Sequence, residues 1–453
     1  MNILAFIITL FVIVVVARLL LQKYNAHAVL LVAGLSMLVC SLFLTNAPLD
    51  VKKSTGFEGF DLFKLITESF SSTNGGVGLM IMAIGGFVAY IDHIGASRAL
   101  VRVAMKPLSL FKAQPYLAAS LVIPIGQILF IAIPSAAGLS LLLMASLFPI
   151  LTNLGVSRLS AAAVISSTTA FCLGPASAIV ASASNVIGME PVNYFVNHQI
   201  MLVIPLNLAL MVAFYFVNKH YDKKESFVAK TAEPEVETNA APTIYALIPI
   251  LPIVLLIVFS ELFHFLPKPI NMDTTTAMFI SFFVALLFEL LRKRNIKEVF
   301  DSLKIFWNGM GNIFKTVVTL IIAAEIFAAG LISLGFIENL IELSQNIGFN
   351  ATGIGIVMTI LIFFAAMLMG SGNAAFFAFG PLVPNIATKL GVSSTSMILP
   401  MQFSASMGRT VSPVSGVLIA VSEIAGVSPM QLVKRNIIPM SIALVVMLIT
   451  HFI

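Results

Sequence analysis

The residues best placed to do chemistry lie between Ser404 and Glu423, in the run SASMGRTVSPVSGVLIAVSE. Gly408, Arg409, Thr410, Ser412, Pro413, Ser415 and Gly416 crowd its middle, although long apolar segments flank it. Pro413 and the two glycines interrupt helical hydrogen bonding, so hydroxyls and freed backbone groups become available as ligands. Arg409 adds a guanidinium, which pairs bidentately with a carboxylate. A central Arg costs at least ~2.5 kcal/mol to place in a bilayer, so a partner must offset it. A bound carboxylate is one candidate partner. The other is Glu325, the one acidic residue deep in another apolar segment and itself a candidate proton-coupling group.

Such a run needs a membrane around it. The chain has 453 residues, 59% hydrophobic and only 10% charged, against about 25% charged in soluble proteins. Apolar runs long enough to span hydrocarbon recur from end to end and leave no room for a soluble domain. The net charge of +5 therefore reads as a topology signal, and nucleic acid is not an expected partner. Cys40 and Cys172 are the only cysteines and both sit in apolar segments, which excludes a disulfide framework and a cysteine metal site. The six His are scattered and no H-E-x-x-H occurs. With no nucleophile–base pair and no metal set, the chain reads as a non-enzyme that needs no cofactor. The first apolar run, Ile3 to Leu21, lacks a basic leader and a clear cleavage site and reads as a retained span.

The elements that must position Arg409 repeat. Glu58, Phe60, Asp61 and Lys64 match Glu298, Phe300, Asp301 and Lys304 at a displacement of 240, which also carries Gly95 to Gly335. Leu154-Gly155-Val156-Ser157 recurs as Leu390-Gly391-Val392-Ser393, displaced by 236. Pro175, Ser177, Ser184, Gly188 and Pro191 recur as Pro413, Ser415, Ser422, Gly426 and Pro429, displaced by 238. A nearly constant displacement along the chain implies duplication. The polar stretch 219–242 then joins a first repeat, 1–218, to a second, 243–453.

Each repeat is expected to hold two spans, an amphipathic stretch marked in the first by Phe57, Phe60, Phe63, Ile66 and Phe70, and a third span. A hairpin (116–153 and 351–388) and a broken helix (158–185 and 395–424) follow. With about five transmembrane helices and one re-entrant hairpin per repeat, seventeen Lys and Arg fall on the linker's side, among them Lys112 and Lys230. Lys52, Lys53, Lys64, Lys268 and Lys389 fall opposite. The linker is then cytoplasmic, both termini are periplasmic, and the repeats are inverted, the first hairpin entering from the cytoplasmic side and the second from the periplasmic side. The fold class is an all-α polytopic membrane protein of two inverted repeats with helices broken at the midplane.

Inversion brings four polar interruptions together: the tips at Ser135 and at Ser371, Gly372 and Asn373, and the breaks at Gly174 to Ser177 and Gly408 to Gly416. Broken helices there expose N-termini suited to anions and carbonyls suited to cations. The expected substrate contacts are Arg409, Thr410, Ser412, Ser415, Ser371, Gly372, Asn373, Ser135 and Ser177. A coupling cation, Na+ if not a proton, is expected near Ser135, Gly138, Gly174 and Asn373. The first-repeat counterpart of Arg409 is Phe171, so the site is electrostatically lopsided. Asn185 and Glu423, at matched positions, read as caps, and His93 and His198 as interfacial residues.

Met407 to Gly416, with Ile424-Ala425-Gly426-Val427-Ser428-Pro429 and Val433-Lys434-Arg435, resembles the DcuC family of anaerobic C4-dicarboxylate carriers. Gly370 to Ala374, the run from Gly138 to Pro149, and Gly85-Gly86-Phe87 through Ala96 resemble it too. The resemblance implies a secondary carrier for succinate and fumarate in the bacterial inner membrane, working by efflux, uptake or exchange. The wider ion-transporter superfamily implies inverted repeats, elevator movement, a homodimer, and carboxylate binding at tip motifs, here Ser371-Gly372-Asn373 and more loosely Ser135-Ala136-Ala137. The chain departs from the family after Pro175, where Ala176-Ser177-Ala178-Ile179 replaces a polar stretch with an acidic residue. The alternatives are a carrier of the same fold for another organic anion or an amino acid, and a cation/proton antiporter, which would prefer intramembrane acids over an Arg.

Overall fold

Helix stops and starts are written in short polar signals, and the matched motifs are among them. In Leu154-Gly155-Val156-Ser157, Gly155 takes a left-handed φ of 96° and Ser157 caps the helix Arg158–Ser167 by accepting from the Ser160 N–H. In Leu390-Gly391-Val392-Ser393, Gly391 closes Val383–Leu390 with φ 68° and Ser393 opens Ser394–Thr410. Gly95 and Gly335 likewise turn the chain at φ 79° and 75°, after the helices Leu79–His93 and Thr319–Ser333. A side chain at these glycines would be strained, which is why matched motifs of the two halves fall there.

The computed structural model describes residues 3–45, 49, 51–111, 114–224, 241–259, 270, 272–346 and 350–452. All regular elements among them are helical, and nine of these helices are long and apolar enough to cross a membrane. Ile3–Leu21 and Ala26–Leu44 come first. Glu58–Thr73 follows and runs through a π turn, Asn74–Gly78, into Leu79–His93; Gly76 leaves helical geometry there, at φ −108° and ψ −113°. The expected amphipathic stretch and third span are thus tandem helices joined at a kink. Phe57, Phe60 and Phe63 remain exposed, while Asp61 anchors the preceding turn by accepting from Ser54 Oγ and the Thr55 N–H and hydroxyl. In the second half Ile296–Ile313 passes through a π turn at Phe314–Val318, again displaced by 240, into Thr319–Ser333.

Two expectations shift in the structure. The second arm of the first hairpin is two helices, Ala136–Ser146 and Phe148–Asn153, because Pro149 has no N–H to continue the ladder. The polar stretch begins inside a helix, since Ile200–Lys224 remains helical to its end. Residues 225–240 of the linker, with Lys112, Lys230 and Lys268, lie outside the described residues.

Small residues fix how the long helices cross. A Cβ on Gly309 would lie 2.8 Å from the Gly85 carbonyl oxygen, and one on Gly34 would lie 2.7 Å from the Ile326 backbone. These contacts bind Leu79–His93 to Ile296–Ile313, and Ala26–Leu44 to Thr319–Ser333, each pair joining one half to the other. Close approach of this kind is what holds membrane helices together, because lipid offers no hydrophobic drive between them. The tightest approach to a backbone atom is at Gly408, where a Cβ would stand 2.2 Å from the Phe363 carbonyl oxygen. Gly408→Ala is expected to lower stability by about 1–3 kcal/mol, measured as thermal unfolding in detergent. Gly311→Ala meets open space in a helix and should be neutral or stabilising.

Candidate functional site

Four interruptions of helical structure meet at one cavity of about 320 Å³. Within the two expected hairpins, Pro115–Ala132 is followed after Pro134-Ser135 by Ala136–Ser146, and Ala351–Met369 after Gly370-Ser371 by Gly372–Phe379. The broken helices are Arg158–Ser167 with Ala178–Val186, and Ser394–Thr410 with Gly416–Ala425. Each tip packs on the break of its own half. Ile131 sits where a Gly174 side chain would go, and the Val414-Ser415 backbone lies within 3.0 Å of a Cβ placed on Gly370. The halves then interlock, Gly416–Ala425 lying against Ala136–Ser146 and Ala178–Val186 against Gly372–Phe379.

Every returning arm begins at the cavity. Ala136 and Ala137, Ser177 to Ile179, Ser371 to Asn373, and Ser415 to Val417 are all in its wall, with Arg409, Cys172, Phe130, Pro134 and Gly370 completing it. Each helix N-terminus carries roughly half a positive charge on its unsatisfied N–H groups. Four such ends and one guanidinium face a space with no acidic residue in its lining. All four N-cap residues are serines, used in two ways. Ser135 and Ser371 turn their hydroxyls inward to accept from the Gly138 and Ala374 N–H groups, both at 3.2 Å. Ser177 and Ser415 make no such cap, and the buried Ser415 hydroxyl has no hydrogen-bond partner among the described residues.

Arg409 is held from the opposite half. Its Nη2 donates to the Thr169 carbonyl at 2.6 Å and lies 3.3 Å from the Thr169 hydroxyl. No acidic residue forms an ion pair with it among the described residues. Glu325, the alternative internal partner, instead accepts from the Thr73 hydroxyl at 2.9 and 3.0 Å.

Of the expected substrate contacts, Arg409, Ser415, Ser371, Gly372, Asn373 and Ser177 line the cavity. Thr410 and Ser412 are buried behind its wall, the Thr410 hydroxyl donating to the Ser406 carbonyl. Ser135 stands at the tip with its oxygen committed to the cap, while its neighbours Pro134 and Ala136 form the lining. Gly138 and Gly174 adjoin the cavity without lining it. Asn185 and Glu423 are surface residues whose carbonyls close the turns at Gly188 and Gly426.

A layer of buried polar side chains behind the cavity escaped the sequence reading. Gln402 Nε2 donates to the Cys172 carbonyl at 2.6 Å, and Gln402 Oε1 accepts from Tyr194 Oη and Gln199 Nε2. Gln199 Oε1 in turn accepts from the Gly174 N–H. Asn436 Nδ2 donates to the Thr410 carbonyl and to Ser166 Oγ, tying the two broken helices together. These side chains satisfy backbone groups that the breaks leave open, as an apolar surrounding demands. The available signal was a carboxamide side chain within each of these largely apolar segments, Gln199, Gln402 and Asn436, a costly placement without a partner.

Comparison with known proteins gives consistent findings. A family model described as "DcuC: C4-dicarboxylate anaerobic carrier" matches residues 4–453. The chain is 35% identical over 439 residues to the anaerobic C4-dicarboxylate transporter DcuC of Escherichia coli K12, covering 97% of this chain and 94% of that one. A Vibrio cholerae protein named as a probable transporter of the same kind is 35% identical, covering 94% and 93%. Among solved structures, the YdaH transporter of Alcanivorax borkumensis superposes with a TM-score of 0.58 at 13% identity, covering 94% of this chain and 97% of that one. MtrF of Neisseria gonorrhoeae does so with a TM-score of 0.55, also at 13% identity, covering 94% of each. These two likenesses concern the fold alone.

Proposed function

The chain belongs to the DcuC family of anaerobic C4-dicarboxylate carriers, and on that premise we propose that it carries C4-dicarboxylates of the succinate and fumarate type across the bacterial inner membrane. The observation that carries the reading is the cavity, with its four helix N-termini, its free Ser415 hydroxyl and an Arg409 that no internal acid neutralises. A dianion matches this charge. One carboxylate pairs with Arg409 beside Ser415, and the other lies against the N–H groups at the second tip, Ser371 to Asn373, with Ser177 facing it. A monocarboxylate reaches only one of these subsites. A cation/proton antiporter is disfavoured by the absence of any acid in the lining.

Alternation between two access states follows from duplication. Two hairpins of similar build, entering from opposite faces, give inward-open and outward-open states of comparable energy. Ser371 lines both the central cavity and a second cavity of about 460 Å³, bounded by Lys23, Tyr24, Thr316 and Val414. The second tip is thus the partition between them, and in this reading the second cavity is the cytoplasmic vestibule. Elevator movement of hairpins and broken helices against the remaining spans, a homodimeric assembly, and coupling to Na+ or H+ complete the proposal.

The test is uptake of labelled succinate into proteoliposomes. Preloading with fumarate should accelerate uptake by counterflow, while preloading with lactate or an amino acid should not. Replacing external Na+ by choline, and separately collapsing the pH gradient, identifies the coupling ion. Counterflow absent for every dicarboxylate but present for a monocarboxylate would overturn the substrate class.

A further inference from the structure

One carboxylate inside a span takes no part in the central cavity. Glu325 lies in the middle of Thr319–Ser333, a helix that carries no other charged residue. Its partner is the buried Thr73, at the end of Glu58–Thr73, whose hydroxyl stands 2.9 and 3.0 Å from the two carboxylate oxygens. The next residue, Asn74, holds a buried Oδ1 with no hydrogen-bond partner among the described residues. No cation offsets the acid. Of the titratable side chains on the elements packed against Thr319–Ser333, Asp61 and Glu68 are bonded into the loop before Glu58–Thr73, Glu338 pairs with Lys389, and His27 lines the second cavity. Glu58, Lys315 and Glu342 are exposed, and Cys40 and Lys64 are half-buried. None of them bonds Glu325.

The matched contact on the other side of the repeat is apolar. At the displacement of 240, Thr73 corresponds to Ile313 and Glu325 to Gly85, and Ile313 Cγ1 stands 2.1 Å from where a Gly85 Cβ would be. The same helix crossing is thus built once from a glycine and an isoleucine, and once from a threonine and an acid. Packing does not require the acid, and an ionisable group placed inside a span is costly.

Resting on the dicarboxylate reading, we infer that Glu325 binds and releases the proton that couples to transport. As a carboxylate it only accepts, from Thr73; protonated, it gains a donor of its own, which this acceptor-rich contact lacks. The change reaches the substrate through two packed elements. Thr319–Ser333 lies against Gly372–Phe379, the arm that begins at the second tip, and the turn Asn74–Gly78 lies against Ala178–Val186, the arm that begins at the first break. Both arms open at the central cavity. Proton and dianion thus bias one equilibrium between access states, which is what coupling requires.

The test uses proteoliposomes whose membrane potential is clamped with K+ and valinomycin. Under an inside-alkaline difference of about one pH unit, wild type is expected to accumulate labelled succinate about tenfold per coupled proton. Glu325→Gln should let succinate equilibrate without accumulating, while fumarate counterflow, which moves no net proton, stays near the wild-type rate. Glu325→Asp keeps a carboxyl and should still accumulate. Thr73→Ile/Glu325→Gly copies the Ile313–Gly85 contact, should behave as Glu325→Gln does, and serves if that variant does not reconstitute. Accumulation by Glu325→Gln equal to that of wild type, or loss of its counterflow along with accumulation, would overturn the inference. Wild-type accumulation that follows a Na+ difference and ignores pH would overturn it too. These results leave the dicarboxylate reading standing as long as wild type shows counterflow; a wild type without counterflow sinks that reading and the inference with it.

Discussion

Arg409→Gln is expected to fold like the wild type and to lose succinate transport, with uptake at subsaturating succinate falling roughly 30- to 4,000-fold. Removing one partner of a desolvated charge pair costs about 2–5 kcal/mol, which converts to that range. Gln is the informative replacement because Arg409 does two jobs. It donates to the Thr169 carbonyl, a structural bond across the two halves, and it presents positive charge to the cavity. A glutamine amide can keep a donor near Thr169 but carries no charge, so Arg409→Gln separates the roles where Arg409→Ala would merge them. Arg409→Lys keeps the charge but loses the planar fork, and should fall between Gln and wild type. Thermal unfolding measured alongside transport completes the test. Unchanged uptake in a stable Arg409→Gln variant would remove Arg409 from the substrate site.

The breaks and tips were legible because Gly, Pro and Ser interrupt apolar helices in a way that packing alone does not require. The matched motifs of the two halves were legible because left-handed glycines such as Gly95 and Gly335, and capping serines such as Ser157 and Ser393, tolerate few substitutes. Arg409's partner was not legible. Charge alone offered Glu325 as the internal alternative to a bound carboxylate, yet the bond goes to Thr169 in the first break and Glu325 accepts from Thr73. A freed carbonyl leaves no mark in a sequence, since every residue has one. The same holds for Gln402, whose partners Cys172, Tyr194 and Gln199 lie more than 200 residues away and are brought near only by the packing of the halves. The N-capping serines show the opposite limit. Their positions were readable, but which hydroxyls are spent on caps and which stay free for a ligand depends on side-chain orientation.

The buried ion pair between Asp222 and Arg435 should dominate stability as Arg409 dominates transport. Both side chains are about 3% exposed and their charged atoms are 3.0 Å apart, one on Ile200–Lys224 and the other on Pro429–Phe452, so the pair joins the two halves. Breaking such a pair costs about 3–5 kcal/mol, mostly because the survivor is left buried and charged. The survivors differ here. Asp222 without Arg435 still accepts from the Ser157 N–H and from the Ser157 and Ser160 hydroxyls. Arg435 without Asp222 loses that carboxylate and keeps, among its contacts, the Ser160 hydroxyl and the face of Tyr221. Asp222→Leu is therefore expected at the upper end of that range and Arg435→Met at or below the lower end. The double variant Asp222→Leu/Arg435→Met should recover most of the loss, because a well-packed apolar pair avoids the desolvation penalty altogether. Unfolding free energies of the four proteins in one detergent measure the cycle. Equal losses in the two single variants would mean that the serine hydroxyls contribute nothing to holding Asp222. A double variant no better than the worse single one would mean that the pair acts through packing and not through charge.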